Sequence, residues 1–159
     1  MPSAVIASPI GPLALREEGE ALCAVRLVPE GTATGGERTP LLDEAARQIG
    51  AYFAGELRRF DLPLRPQGSA FDLRVWALLR DIPFGELRGY GQLASDLGKP
   101  TASRAVGGAC GRNPLLIVVP CHRVVGASGR LTGFAAGLPA KKALLALEGQ
   151  RVQSDRVVR

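Results

Sequence analysis

Apolar and polar residues alternate in short runs at the start of the chain. Segments 4–7, 12–16 and 21–28 each show this alternation, and Pro and Gly separate them. A period of two that is interrupted by turn residues predicts three short β-strands. The polar, Gly-rich segment 30–37 that follows is predicted to be a loop.

Helical spacing replaces this alternation after the loop. Thr39 and Pro40 suit a helix start, because threonine can cap the free N–H groups and proline fits the first helical position. The apolar positions of the helix are Leu42, Ala45, Ala46, Ile49 and Phe53. We interpret the proline-containing segment 57–69 as a linker. The sequence therefore predicts an N-terminal α/β lobe over 1–68, with a small antiparallel sheet and a helix.

Helical patterns dominate the rest of the chain. Ser69 is a predicted N-cap, and Pro83 is predicted to stop the helix that it opens. Two shorter helical patterns follow at 89–98 and 100–110, joined by a Gly-Lys-Pro turn. Such a pair is typical of a helix-turn-helix, and a ribbon over 124–134 would complete a winged helix.

Three further segments complete the predicted C-terminal lobe. The apolar run 115–119 predicts a buried strand, and segment 138–149 has the pattern of a last helix. The tail 151–159 is predicted to fray. We therefore expect a C-terminal lobe over 69–159 that is mainly α-helical and contains a winged helix-turn-helix.

Charge is distributed unevenly between these lobes. The chain has a net charge of +5, but residues 1–70 carry a net −2 and residues 71–159 a net +7. A basic excess confined to one half favours a polyanionic partner such as nucleic acid. A merely solubilising basic surface remains the alternative.

Composition excludes several classes of protein. No run approaches the roughly 18 apolar residues of a membrane span, and the N-terminus lacks the basic start of a signal peptide, so a cytoplasmic protein without a membrane partner is predicted. The three cysteines, Cys23, Cys110 and Cys121, form no CxxC pair. This odd, scattered set argues against a disulfide framework, and with a single histidine it predicts no metal site.

The candidate chemistry lies where the apolar run ends in Pro120. Cys121 follows it and stands beside His122, the only histidine of the chain. A cysteine thiol has an ordinary pKa of about 8.5 and needs a base or a positive environment to become a good nucleophile. A histidine base needs an acceptor on its second nitrogen, and Glu148 is the candidate. A buried thiol beside a satisfied histidine remains open as the alternative.

Three motifs, in order, carry a family resemblance: RAVGGACGRNP at 104–114, PCHRVV at 120–125 and LLALEG at 144–149. Together they resemble the O6-alkylguanine-DNA alkyltransferases, or methylated-DNA–protein-cysteine methyltransferases, from about Phe71 to Gly149. The resemblance implies repair of double-stranded DNA by irreversible, single-turnover transfer of an alkyl group from O6-alkylguanine to the protein's own cysteine. It further implies base flipping through the minor groove, a monomer and no cofactor.

The resemblance assigns roles to the residues of the motifs. Cys121 is the expected alkyl acceptor, and His122 is expected to take the thiol proton through a water. Glu148 is expected to orient His122, and Asn113 to brace the turn that carries the cysteine. Cys121 also distinguishes the chain from the related alkyltransferase-like proteins, which bind damaged DNA with another residue at this position.

The resemblance also implies a pocket for the flipped base. The Tyr90 hydroxyl and the Val124 carbonyl are expected to bind guanine, with Phe134 and Ala135 completing the pocket. Phe134 and Ala135 depart from the tyrosine and serine that are common in the family, and Gly91 stands where glutamine is usual.

Helix 100–110 becomes the recognition helix in this resemblance. Its small residues allow close approach to the minor groove, and Arg104 matches the side chain that fills the vacated base stack. The expected DNA contacts are Tyr90, Thr101, Ala102, Ser103, Arg104, Gly107 and Arg123. A cysteine hydrolase using Cys121 and His122 and a pure DNA-binding module are the two rival functions.

Overall fold

The computed structural model describes residues 1–132, 134 and 136–158. Contacts between Cα atoms divide the chain into two compact units. The first unit contains Met1–Gln67 and Pro114–Val118, and the second contains Gly68–Asn113 and Val119–Arg159.

The strands of the first unit form one antiparallel sheet, as predicted, although its fourth strand lies in segment 30–37, which was predicted to be a loop. In chain order they are β1 (Ser3–Ile6), β2 (Leu13–Glu18), β3 (Ala21–Leu27) and β4 (Gly35–Gly36). Their order in the sheet is β3-β2-β1-β4. Alternate residues of β2 are buried, in keeping with a sheet that covers a core on one face.

Helix α1 (Pro40–Phe53) packs on this sheet and begins where the sequence predicts. The Thr39 hydroxyl accepts a hydrogen bond from the Leu42 N–H at 3.0 Å, which caps the first turn. The buried residues of the helix are Leu42, Ala45, Gln48, Ile49 and Tyr52.

The prediction of a strand at 115–119 is wrong. Leu115 forms a single bridge with Val25, and the chain then turns at Ile117, which has a φ of 71°. The Val118 N–H donates to the Leu116 carbonyl at 2.7 Å and closes a γ-turn around Ile117. A positive φ at a β-branched residue is incompatible with an extended strand, although Leu115 to Val118 are all buried.

The second unit contains the other helices. They are α2 (Ala70–Arg80), α3 (Tyr90–Asp96), α4 (Ser103–Gly111) and α5 (Leu138–Leu147). The predicted Ser69 cap is confirmed, because its hydroxyl accepts from the Asp72 N–H at 3.1 Å. The indole of Trp76 donates to the Ala109 carbonyl at 2.8 Å and joins α2 to α4.

The short strands of this unit differ from the predicted ribbon over 124–134. Strand β6 (Val124–Val125) pairs in parallel with β5 (Arg88–Gly89). Segment 126–130 is a loop instead, closed by a 2.7 Å hydrogen bond from the Gly126 N–H to the Arg130 carbonyl. The predicted turn at Ser128-Gly129 lies within that loop, with both residues at positive φ.

The tail does not fray. Strands β7 (Arg151–Gln153) and β8 (Arg156–Val158) form an antiparallel hairpin. Between them Asp155 accepts from the Leu131 N–H through its carbonyl and from Lys142 through its carboxylate, each at 2.7 Å. These bonds hold the hairpin on the rest of the second unit. In the described part of the chain, the helices are too short or too polar to cross a bilayer.

Candidate active site

A tight turn presents the candidate nucleophile. Pro120 has φ −83° and ψ 64°, and the Cys121 N–H donates to the Val119 carbonyl at 2.8 Å, which is an inverse γ-turn. Cys121, His122 and Arg123 then form one turn of 3₁₀ helix. The backbone therefore leaves the extended conformation at the cysteine, and its neighbours do not alternate across two faces of a strand.

The Cys121 thiol is buried, with 2% of the residue exposed. The Asn113 side-chain amide donates to its Sγ at 3.2 Å and to the Val119 carbonyl at 2.8 Å, so Asn113 holds both the thiol and its turn. Burial raises the pKa of Cys121 to about 11, although the Asn113 hydrogen bond and the charge of Lys141 oppose the rise. At neutral pH the group is a thiol, and forming the thiolate requires a base.

His122 lies beside the cysteine with its ring fully buried. Its Nε2 is 2.6 Å from Oε2 of Glu148, as the sequence predicts. Burial lowers the pKa of His122 below its usual value, and Glu148 only partly opposes this effect. A neutral ring that donates from Nε2 to a carboxylate keeps its lone pair on Nδ1. Among the described residues, Nδ1 is the buried side-chain atom left without a hydrogen-bond partner.

The prediction that Arg123 contacts DNA is wrong, because its side chain is buried. Only 5% of the residue is exposed. Its Nε and Nη2 donate to the two oxygens of Glu148 at 2.8 and 3.0 Å, and its Nη1 donates to the Ile82 carbonyl at 2.6 Å. The guanidinium compensates the buried carboxylate, and its donors face inward.

Lys141 is a site residue that the sequence reasoning missed. It is fully buried in α5, and its Nζ donates to the Val124 carbonyl at 2.7 Å. The available signal was its spacing: Lys141, Leu144, Leu145 and Glu148 lie on one helical face. The Val124 carbonyl keeps a second lone pair for a ligand.

An open groove of about 610 Å³ is lined by several of the predicted DNA-contacting residues. Its lining residues are Tyr90, Ser103, Arg104, Gly107, Gly111, Thr132 and Phe134. The Arg104 side chain is exposed, as a group reaching into DNA must be. Thr132, which the sequence reasoning also missed, donates from its hydroxyl to the Tyr90 hydroxyl at 2.8 Å.

The remaining predicted contacts are placed less specifically. Thr101 is exposed in the turn before α4, and Ala102 is the residue that precedes the helix. Ala135 lies outside the described residues.

Within the described ranges, no group of three or more His, Cys, Asp or Glu side chains could hold a metal ion.

Two family models match the chain. The DNA binding domain of 6-O-methylguanine DNA methyltransferase matches residues 70–150, and the ribonuclease-like domain of the same family matches residues 1–66. The methylated-DNA–protein-cysteine methyltransferase of Methanosarcina acetivorans is 49% identical over 154 residues, which span 92% of this chain and 97% of that protein. The Mycobacterium tuberculosis protein of the same name is 48% identical, with 94% and 93% covered.

Solved structures give the same result. The O6-methylguanine methyltransferase of Mycobacterium tuberculosis superposes with a TM-score of 0.83 at 46% identity, covering 98% of this chain and 97% of that one. The structure of Mycobacterium tuberculosis OGT in complex with DNA gives a TM-score of 0.82 at 49% identity, covering 91% and 90%.

The buried ion pair predicts a stability effect. Glu148→Gln should lower the free energy of unfolding by about 3 kcal/mol, because it leaves Arg123 buried and uncompensated. Urea denaturation measures this loss. The matched control is Glu86→Gln, which removes an exposed pair with Arg88 and should cost less than about 1 kcal/mol. Equal losses for the two variants would contradict this account of Glu148.

The raised thiol pKa predicts a distinctive pH profile. Iodoacetamide labelling of Cys121, followed by peptide mass spectrometry, should accelerate nearly tenfold per pH unit from pH 7 to 9.5, because only the thiolate reacts and the pKa is about 11. In the urea-unfolded chain the same peptide should level off near pH 9. Asn113→Ala should slow labelling of the folded protein, since it removes a hydrogen bond that lowers the pKa. A plateau below pH 9 in the folded protein would contradict the prediction.

Proposed function

The chain belongs to the 6-O-methylguanine DNA methyltransferase family, and from this premise we propose that it repairs O6-alkylguanine in DNA by moving the alkyl group irreversibly to its own Cys121. The observation that carries the proposal is the buried Cys121 thiol, bonded to Asn113 and followed directly by a histidine that Glu148 holds. This arrangement supplies a nucleophile and an oriented base, and the described residues form no group of three or more His, Cys, Asp or Glu side chains that could hold a metal ion.

The first step is deprotonation of the thiol. The proton passes from Cys121 through one water to Nδ1 of His122, the nitrogen that the Glu148 bond leaves free. The carboxylate of Glu148 then stabilises the imidazolium. Arg123 is a positioning residue in this step, because it fixes Glu148 through two hydrogen bonds.

The second step is an in-line displacement at the alkyl carbon. The bond from Cys121 Sγ to carbon forms as the bond from carbon to guanine O6 breaks, and the electron pair of the broken bond remains on the base. The Tyr90 hydroxyl and the Val124 carbonyl bind the base, and Tyr90 donates its phenolic proton to the base as the alkyl group leaves. The proton that His122 took from the thiol then returns through solvent to the tyrosine, so that both side chains end neutral. The products are guanine and a cysteine thioether, which ordinary hydrolysis does not cleave, so each molecule acts once and needs no cofactor.

Lys141 supports this step through its positive charge and through its hydrogen bond to the Val124 carbonyl. Its ammonium group opposes the rise of the Cys121 pKa, so it stabilises the thiolate as that charge appears. Its bond to the Val124 carbonyl also fixes the carbonyl that faces the base. Lys141 is thus proposed as a positioning and charge-stabilising residue.

DNA is the proposed partner of the second unit. Helices α3 and α4 would form the helix-turn-helix, and the loop over 126–130 would serve as part of its wing. Chemistry on a base inside a duplex requires flipping at a cost of a few kcal/mol. The exposed Arg104 lines the same groove as Ser103 and Gly107 and would fill the space that the base leaves.

We also propose that the chain has two lobes, 1–68 and 69–159. The alkyl acceptor and the DNA contacts both belong to the second lobe. The Thr101 and Ala102 contacts and the pocket role of Phe134 and Ala135 belong to the same proposal. The monomeric state and the cytoplasmic location stay predictions.

Stoichiometry tests the transfer. After incubation with an O6-methylguanine oligonucleotide, the intact mass of the protein should rise by the mass of one methylene, because a methyl group replaces the thiol hydrogen. Peptide mapping should place the label on Cys121. Cys23→Ser should be labelled normally and Cys121→Ser should not. Repeated turnover by one molecule, as a cysteine hydrolase would show, would overturn the proposal.

Removing the Arg104 side chain distinguishes two possible roles for it, filling the base stack and contacting phosphate. If it fills the stack behind a flipped base, Arg104→Ala should reduce the single-turnover rate on duplex DNA about tenfold or more even at saturating protein, because flipping costs a few kcal/mol. The free modified base should react nearly as before. The control is Arg80→Ala, an exposed arginine of α2 outside the groove. Full recovery at saturation would show that Arg104 only contacts phosphate.

A further inference from the structure

A side chain outside the family motifs contacts the proposed base-binding tyrosine. The Thr132 hydroxyl donates to the Tyr90 hydroxyl at 2.8 Å on the wall of the groove. A phenol oxygen can accept and donate at the same time. When Thr132 donates a hydrogen to the Tyr90 oxygen, the phenolic hydrogen of Tyr90 must point away from Thr132. The side of the ring oxygen that remains open faces the groove.

The backbone of Thr132 is held in place by its surroundings. Its carbonyl lies 3.5 Å from Nζ of the buried Lys141, which is itself anchored on the Val124 carbonyl. The preceding residue, Leu131, donates its N–H to the Asp155 carbonyl in the C-terminal hairpin. The threonine hydroxyl is therefore presented to Tyr90 from a fixed backbone.

The remaining surroundings of Tyr90 offer no equivalent donor among the described contacts. Lys141 Nζ lies over the ring, 6.0 Å from its centroid, and a Cβ carbon added at Gly107 would lie 3.8 Å from the ring. Burial raises the pKa of Tyr90, and the Thr132 hydrogen bond lowers it. A hydrogen bond accepted by the oxygen also strengthens the hydrogen bond that the same hydroxyl donates.

We propose that Thr132 is a positioning residue that directs the Tyr90 phenolic hydrogen into the groove, toward the alkylated base. This inference rests on the proposed function and adds a residue to it. Thr132 does not touch the reacting atoms; it acts through Tyr90.

The first experiment removes only the donor. Thr132→Val keeps the shape of the side chain, and Thr132→Ser keeps the hydroxyl. At saturating O6-methylguanine duplex, Thr132→Val should lower the single-turnover rate roughly three- to tenfold, the effect of one hydrogen bond. Thr132→Ser should restore the rate to within about twofold of the unmodified protein. Equal losses for both variants would overturn the proposal, because they would trace the loss to packing.

A double-mutant cycle tests whether the effect runs through the tyrosine. In a Tyr90→Phe background the Thr132 hydroxyl has no phenol to orient, so adding Thr132→Val should change the rate by less than about twofold. Independent, multiplicative losses would overturn the proposal. DNA affinity, measured by fluorescence anisotropy, should be similar for the two proteins that share the residue at position 90, whether threonine or valine stands at position 132.

A readout without DNA separates this inference from the proposed function. The chain contains two tyrosines, and Tyr52 is fully buried, so Tyr90→Phe identifies the Tyr90 signal in an ultraviolet absorbance titration. Thr132→Val should move the Tyr90 ionisation to higher pH, because a bond that lowers its pKa is lost. An unchanged midpoint would overturn the inference. Absent alkyl transfer with a shifted midpoint would overturn the proposed function while leaving the Tyr90–Thr132 coupling intact.

Discussion

The buried carboxylate of Glu148 is the constraint on which the rest of the site depends. It accepts hydrogen bonds from His122 and Arg123, neighbours on the turn that carries the cysteine, and from the Gly85 N–H in the loop before β5. An ionised carboxylate in a protein interior is costly unless it is compensated and hydrogen-bonded. The end of α5, the cysteine turn and that loop must therefore keep their relative places for the protein to fold stably.

The same carboxylate decides the resting chemistry. Because it takes the Nε2 hydrogen, the buried and neutral ring of His122 offers Nδ1 as a base. The Cys121 thiol, with a pKa of about 11, is protonated at neutral pH. A nucleophile that can be used only once gains from this state, since a buried thiol reacts slowly with stray electrophiles. Activation then waits for a substrate that brings the alkyl carbon to the sulfur.

Local patterns predicted most of the fold, but they missed a long-range ion pair and the direction in which a buried apolar segment turns. The caps at Thr39 and Ser69 and the helices they open follow from short-range chemistry, and Glu148, the predicted acceptor for the histidine, is buried. Arg123 was misassigned because a basic residue in a basic lobe gives no sign that a buried acid holds it. At Ile117 an apolar run turns instead of extending, because hydrophobicity predicts burial and carries little information on the sign of φ.

The 3₁₀ turn explains how three consecutive residues can perform three separate tasks. Successive side chains in a 3₁₀ helix point about 120° apart, whereas those of a strand alternate between two opposite faces. Cys121 can therefore face Asn113 while His122 and Arg123 both reach Glu148 from different directions. In an extended strand Cys121 and Arg123 would share one face, and His122 alone would face the other. The γ-turn at Pro120 that ends the extended backbone thus allows the proposed nucleophile, the proposed base and the arginine to be adjacent in sequence and still meet different partners.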